Sequence, residues 1–330
     1  MLMVIVSGNI DLSVGSVLGL AGGIAAIWLL DYGLVPAILA AIAVSVMIGA
    51  FHGFLVAYFN IPAFIVTLGG LLAWRGATKG VTKAETIGVA NPAFKEIGQG
   101  YLGSIEIPLS ENTFFALNLG WILAVLALAA VLFLAYRRAK SQKEYGLGEA
   151  NYGAEAIKSI LPIGAIIVFT FVMNTWKGVP IPVLILLAVA LLGVFITNST
   201  VFGRYLYAIG GNMDAARLSG INTKLNVLKV FALLGALIGV ASLVNTARLG
   251  SATVDAGVLK ELDAIAACVI GGASLMGGRG TIFGACLGAL IMESLDNGML
   301  LMDVRDFVKE LVKGAVLVTA VGVDMIGKKS

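Results

Sequence analysis

Hydrophobic positions in this chain come in long blocks, and polar residues punctuate the blocks instead of threading through them as they do on the surface helices of soluble domains. Val14 to Leu30 is uncharged, and Leu34 to Phe59 is apolar with a single His52. The Asp31-Tyr32-Gly33 turn between them predicts an antiparallel helical pair. Asn60-Ile61-Pro62 leads into a further block, Ala63 to Trp74, closed by Arg75 and Lys79. A polar stretch over 79–112 carries Lys83, Glu85, Lys95, Glu96, Glu106 and Glu111 and predicts a substantial loop with room for a short helix. Blocks at Phe114 to Tyr136, Ile160 to Trp176, Pro180 to Phe202, Leu225 to Ala247, Ala264 to Leu275, Thr281 to Met292 and Leu311 to Val323 complete the series. Several approach the roughly 20 residues a helix needs to cross a ~30 Å hydrocarbon core, and the alternation of a barrel is absent. The reading is an all-α integral membrane protein of about nine spans, some of them discontinuous, in a single domain over 1–330.

Composition agrees, with 59% hydrophobic residues against 12% charged. Forty-two glycines fit closely packed membrane helices. A net charge of +3, dispersed along the chain, gives no footprint for nucleic acid. Cys268 and Cys286 have no CxxC partner and read as packing residues, with neither a disulfide framework nor a metal site. Met1 opens directly on Leu2-Met3-Val4-Ile5-Val6 without a basic region or a cleavage site, which predicts a truncated start with one complete span and part of another upstream.

Charge fixes direction. The basic cluster Arg137-Arg138-Ala139-Lys140-Ser141-Gln142-Lys143 is placed in the cytoplasm by the positive-inside rule. Counting onward puts the polar island 203–222 on the same side, with Lys328-Lys329, and puts 248–262 outside. The island is a short amphipathic segment bracketed by glycines. Its second half interleaves small residues, Ala215, Ala216, Ser219 and Gly220, with Arg217. A lipid anchor shows a broad apolar face opposite lysines, and this segment does not, so a docked protein is the better reading than the headgroup boundary.

Ser7-Gly8-Asn9-Ile10-Asp11-Leu12-Ser13-Val14-Gly15-Ser16 sets ionisable and hydroxyl groups in an apolar context. Such groups are functional suspects, yet Asp11 capping the helix that begins near Ser13 explains it equally well, so gating geometry is favoured over direct substrate contact. Glu261 and Asp263 lie at a helix start, where the macrodipole alone justifies them or where they shape an outer mouth. Gly271-Gly272-Ala273-Ser274 with Gly277-Gly278-Arg279-Gly280 lacks the Lys-Ser/Thr ending of a phosphate loop, which occurs nowhere in the chain. Leu295-Asp296-Asn297-Gly298 reads first as a helix stop. His52 has no acid near it in sequence and reads as packed. No nucleophile–base pair is evident, so no catalytic residue is assigned and an enzyme is disfavoured. Gly15-Ser16-Val17-Leu18-Gly19 and Gly280-Thr281-Ile282-Phe283-Gly284 form a weak internal echo, the paired interruption that points to a translocation site in transporters.

These residues carry a resemblance. Asn9 to Ser16, Pro62-Ala63-Phe64-Ile65-Val66-Thr67-Leu68-Gly69-Gly70, Ala215 to Asn222 and Ala266-Ala267-Cys268-Val269-Ile270-Gly271-Gly272 resemble, in order along the whole chain, the permease subunits of bacterial sugar ABC importers. The likeness is greatest to the D-xylose branch, through Arg204 to Asn222, Glu261 to Cys268 and Ser294 to Met299. Ribose and galactose members share the first motif more than the last two. The resemblance implies a bacterial inner-membrane permease, homodimeric or paired with a like permease. Two ABC ATPase subunits binding ATP and Mg would flank it, and a periplasmic sugar-binding protein would feed it; the chain itself would hold no cofactor and no metal. It makes 203–222 the coupling helix, with Arg204, Tyr207, Gly210, Gly211, Asn212, Ala215, Ala216, Arg217, Ser219 and Gly220 at the ATPase. Candidate path or gate residues are Asp11, Ser13, Gly15, Ser16, Thr67, Gly271, Gly272, Asp296 and Asn297. Arg279 departs from the family, where a small or apolar residue is expected. The competing reading is an ion-coupled sugar carrier acting alone, disfavoured by the scarcity of intramembrane charges.

Overall fold

The computed structural model describes residues 1–110, 113–144 and 152–326; Glu111, Lys328 and Lys329 lie outside them. The chain divides into two units, Met1–Gly98 with Leu186–Ser330, and Gln99–Ile185. The first unit opens with α1 (Leu2–Val6), α2 (Val14–Tyr32), α3 (Leu34–Phe59) and α4 (Ala63–Val81), followed by β1 (Ile87–Gly88) and α5 (Pro92–Gln99). α3 stops where Asn60 turns left-handed (φ 54°) ahead of Pro62.

The second unit contains β2 (Tyr101–Leu102), β3 (Ser104–Ser110), β4 (Thr113–Asn118), α6 (Leu119–Glu144), α7 (Tyr152–Asn174) and β5 (Val179–Pro180). β3 and β4 pair antiparallel from Ser104↔Asn118 to Ser110↔Thr113, with a register shift near Pro108. The span expected from Phe114 therefore starts at Leu119. Thr113-Phe114-Phe115 is as good a strand as it is a membrane segment, and the partner strand decides. β2 pairs with β5, and α6 packs on α7.

α8 (Ile181–Ser199) contains the boundary between the units. It is followed by α9 (Val201–Gly211), α10 (Met213–Leu218), α11 (Thr223–Leu249), β6 (Ser251–Ala252), α12 (Lys260–Ile270), α13 (Ile282–Leu301) and α14 (Asp306–Ile326). Among the described residues six helices are long and apolar enough to cross a membrane: α2, α3, α8, α11, Leu119–Arg137 of α6 and Ile157–Asn174 of α7. The predicted block Ala264 to Leu275 resolves into α12, 11 residues long. At 1.5 Å per residue it reaches ~16 Å, half a bilayer core.

α11 lies against α3 along a seam of small residues. A methyl group at Gly49 would overlap the Phe231 carbonyl, and one at Gly235 would overlap that of Ser45. Lipid tails are as apolar as leucine, so such helices cohere by close contact and dispersion, and small residues let the backbones meet. Around the seam Phe231, Leu234 and Ile238 of α11 pack with Ile48 of α3 and Val17 and Leu20 of α2.

The segment after α11 departs from the simple external loop expected at 248–262. Gly250 closes α11 in the left-handed region (φ 67°), and β6 pairs with β1. The chain then folds back along α2, setting Ala256 beside Gly19 and Gly257 beside Gly15. α12 thus begins beside the first turn of α2, because glycines at 15 and 19 leave room for a backbone there.

Candidate functional site

Three features converge on the ends of short helices: the island, the break before α2, and the start of α12. The island is a pair of helices with a corner at Asn212, whose extended backbone ends α9 and whose side chain accepts from the Ala215 amide at 2.9 Å to cap α10. The elbow falls at Gly210-Gly211-Asn212, where the sequence interrupts the amphipathic segment, and Asn212 caps its second arm. Ala216 is buried, while Arg204, Gly211, Ala215, Arg217, Ser219 and Gly220 are exposed and Leu218 projects with 89% of its surface free. Ser219 Oγ donates to the Ala215 carbonyl at 2.9 Å.

The island is rooted by its backbone. Gly210 has no room for a methyl group between the Val6 carbonyl and the Gly278 amide. The Gly278 N–H donates to the Val6 carbonyl at 2.8 Å. Tyr207 Oη donates to the Gly280 carbonyl at 2.7 Å, and burial pushes the phenol above its usual pKa, so it stays a donor. The end of α1, the end of α9 and the 274–280 turn therefore meet at one joint. Gly277 and Gly278 both carry positive φ there (88° and 72°), which explains the double glycine.

At the break, Asp11 Oδ1 accepts from the Ser13 amide at 2.7 Å and from Ser13 Oγ at 2.6 Å. Ser13 Oγ lies 3.3 Å from His52 Nδ1, and Asp11 Oδ2 lies 4.0 Å from it. Trp74 Nε1 donates to His52 Nε2 at 3.0 Å. An indole N–H only donates, so Nε2 is the acceptor, the imidazole is neutral and its proton sits on Nδ1, facing Ser13 and Asp11. His52 is packed, but the neighbouring acid invisible in its local sequence is Asp11. Ser16 Oγ donates to the Ser13 carbonyl at 2.8 Å, and Thr67 Oγ1 reaches the Ala63 and Ile10 carbonyls at 2.9 and 3.3 Å. Asp11, Ser13, Ser16 and Thr67 are all buried and together tie the non-helical Ser7–Ser13 strip to α3 and α4.

At the start of α12, Glu261 is buried against Gly15, and among the described residues its Oε2 has no hydrogen-bond partner. Arg75 of α4 donates to the Ala256 carbonyl at 3.1 Å, pinning the turn that precedes it. Gly271 packs on Gly284 and Gly272 turns with φ 86°. Asp296 does not stand at a bare helix stop: α13 continues to Leu301, and Asp296 Oδ2 lies 3.2 Å from Lys313 Nζ of α14. Asn297 beside it is exposed. Local sequence holds no sign of this pair, since its partner is on another helix. Among the described residues no group of three or more His, Cys, Asp or Glu side chains is placed to hold a metal ion.

The chain matches the family described as the permease component of branched-chain amino acid transport systems over residues 1–142 and 122–321. It is similar to the xylose transport system permease protein XylH of Escherichia coli, 44% identical over 336 residues that take in 100% of this chain and 81% of that protein. The XylH of Haemophilus influenzae is 44% identical over 335 residues, 100% of this chain and 85% of the relative. The ribose import permease protein RbsC of Escherichia coli is 35% identical over 325 residues, covering 98% and 79%. No solved structure matches the chain.

Proposed function

The chain belongs to the permease-component family it matches over nearly its whole length, and we propose on that premise that it is the membrane subunit of an ATP-driven importer of D-xylose. It is a multi-pass helical transport component of the bacterial cell membrane. The sugar rests on one observation, 44% identity over the full chain to xylose transport permeases. Ribose is the second candidate, from relatives at 35%.

In this reading two copies pair, or one pairs with a like permease, and separate ABC subunits bind ATP and Mg. A periplasmic sugar-binding protein delivers the solute to the single permease domain of residues 1–330, so the chain hydrolyses nothing itself. The 203–222 segment is the coupling element, and Arg204, Tyr207, Gly210, Gly211, Asn212, Ala215, Ala216, Arg217, Ser219 and Gly220 form the contact or its root. What supports this is the exposed elbow at Asn212 fixed by backbone contacts to the Ser7–Ser13 break and to the 274–280 turn. Movement of the elbow then shifts both interruptions, with Asp11, Ser13, Gly15, Ser16 and Thr67 on one side and Gly271 and Gly272 on the other acting as gate residues. Asp296 and Asn297 line the route.

The test is uptake of D-xylose into proteoliposomes holding the permease, its ATPase and its binding protein. ATP-dependent uptake is expected; uptake driven by an ion gradient without ATP or ATPase overturns the reading in favour of a carrier acting alone. A directed variant is Arg217→Glu with Gly211→Trp. A Cβ added at Gly211 meets no atom within 4 Å, so a side chain can leave the backbone there without a clash at its root. Membrane insertion is expected to persist while receptor-stimulated ATP hydrolysis is lost, and unchanged coupled hydrolysis removes the docking role.

A further inference from the structure

One charged cluster is absorbed neither by the island nor by the break. Lys313 of α14 bridges two carboxylates, Asp296 Oδ2 of α13 at 3.2 Å and Asp263 Oδ2 of α12 at 3.4 Å. Lys260 adds a contact to Asp263 at 3.3 Å and to Glu293 at 4.0 Å. Lys260 and Asp263 belong to the first turn of α12, whereas Asp296 and Lys313 lie within their helices. Lys313 is seven residues into α14 (313 − 306), or ~10 Å at 1.5 Å per residue, in a helix of 21 residues. Asp296 is 14 residues along α13 (296 − 282), ~21 Å from its start. Charges set within apolar helices face protein or water, since lipid offers them no partner.

They face open space. The Asp263, Asp296 and Lys313 side chains remain 19%, 31% and 22% exposed. A cavity of about 510 Å³ and a second of about 210 Å³ are both lined by Lys260, Asp263, Met292, Asp296 and Lys313. The bridge is thus a neck shared by two cavities. This tie holds three helices together while leaving its oxygens and ammonium reachable from both hollows.

The chemistry of the neck selects its occupant. Across the two linings the carboxylates of Asp263, Glu293, Asp296, Asp306 and Glu310 outnumber the ammonium groups of Lys260, Lys309 and Lys313 and so repel a small anion, while a cation has to displace the lysines that already neutralise Asp263 and Asp296. A neutral solute with adjacent hydroxyls meets neither obstacle. Each hydroxyl donates to a carboxylate and accepts from an ammonium, so a polyol can replace one arm of the Lys313 bridge without leaving a charge unpartnered. The lining named above holds no aromatic face to grip a sugar ring, which suits passage better than retention.

We propose that Asp263, Asp296 and Lys313 form a transit subsite for a neutral polyhydroxylated solute, at the neck between two cavities of the permease. The proposal rests on the transport reading and adds the place and chemistry of passage. Its test uses the full chain with its ATPase and binding protein in membrane vesicles, in a Cys268→Ala, Cys286→Ala background. Asp296→Cys, and separately Asp263→Cys, is treated with a water-soluble methanethiosulfonate. Rapid modification is expected, slowed roughly threefold or more by tens of millimolar D-xylose, the range of a weak millimolar site, and not by betaine, which has no hydroxyl. Absence of modification at both positions in protein that still co-purifies with its ATPase overturns the proposal, and so does modification indifferent to sugar. Lys313→Met is expected to lower D-xylose uptake about tenfold, near 1.4 kcal/mol. A wild type that couples ATP hydrolysis but does not move D-xylose overturns the sugar assignment alone. The subsite is then judged by protection with a panel of pentoses and hexoses, and protection by none of them overturns it.

Discussion

Trp74→Phe keeps an aromatic ring in α4 but removes the N–H that reaches His52 Nε2 at 3.0 Å. The imidazole is buried, so the loss costs about 1–3 kcal/mol and lowers the detergent melting temperature by a few degrees. Gly70→Ala tests the same bond from the other side, because a methyl there would collide with the His52 ring and push it off the indole. If both variants melt like the parent, the bond and the proton position assigned from it are wrong. The sequence could place His52 in the core but not beside Asp11. Ser13 and His52 are 39 positions apart, and nothing local to either declares the other. Glu261 illustrates the same limit: at a helix start it invites a dipole explanation, yet folding lodges it against the first turn of α2.

Helices were the legible part, because block length and Gly/Pro punctuation act locally. α2, α3, α8 and α11 fall where the apolar blocks put them. The exceptions share a cause, a partner remote in sequence. Phe114 joins a strand because β3 is beside it, and the island bends because Asn212 finds a better use as a cap than as a helix interior. The small-residue seam predicts its own fragility. Gly235→Val in α11 drives a side chain into the Ser45 carbonyl of α3, and overpacking of this kind costs ~1–3 kcal/mol or more. The expected result is a reduced monodisperse fraction on size exclusion, with Gly69→Val, which has open space, as the unaffected control. Tyr207→Phe is milder: it deletes one hydrogen bond to Gly280, worth about 1 kcal/mol. Receptor-stimulated ATP hydrolysis is expected to fall further than the melting temperature does. Equal, small losses in both measurements would leave Tyr207 a packing residue.

For the molecule as a whole, composition and block pattern were enough to identify a multi-span helical membrane protein, since crossing a bilayer constrains every residue of a span at once, while the permease reading came from the resemblance carried by its motifs. The charged neck was not legible. Asp263, Asp296 and Lys313 sit on three helices, and each reads in isolation as a dipole partner, a helix stop or a stray lysine. Only their convergence turns them into a passage. The joint of Val6, Gly210 and Gly278 has a mechanical consequence of a different kind. A side chain that meets its neighbour can swing to another rotamer and take up slack. Three backbones in direct contact have no such give. Whatever displaces the elbow must therefore move the α1 end and the 274–280 turn in the same stroke, so the two interruptions open together or stay shut together.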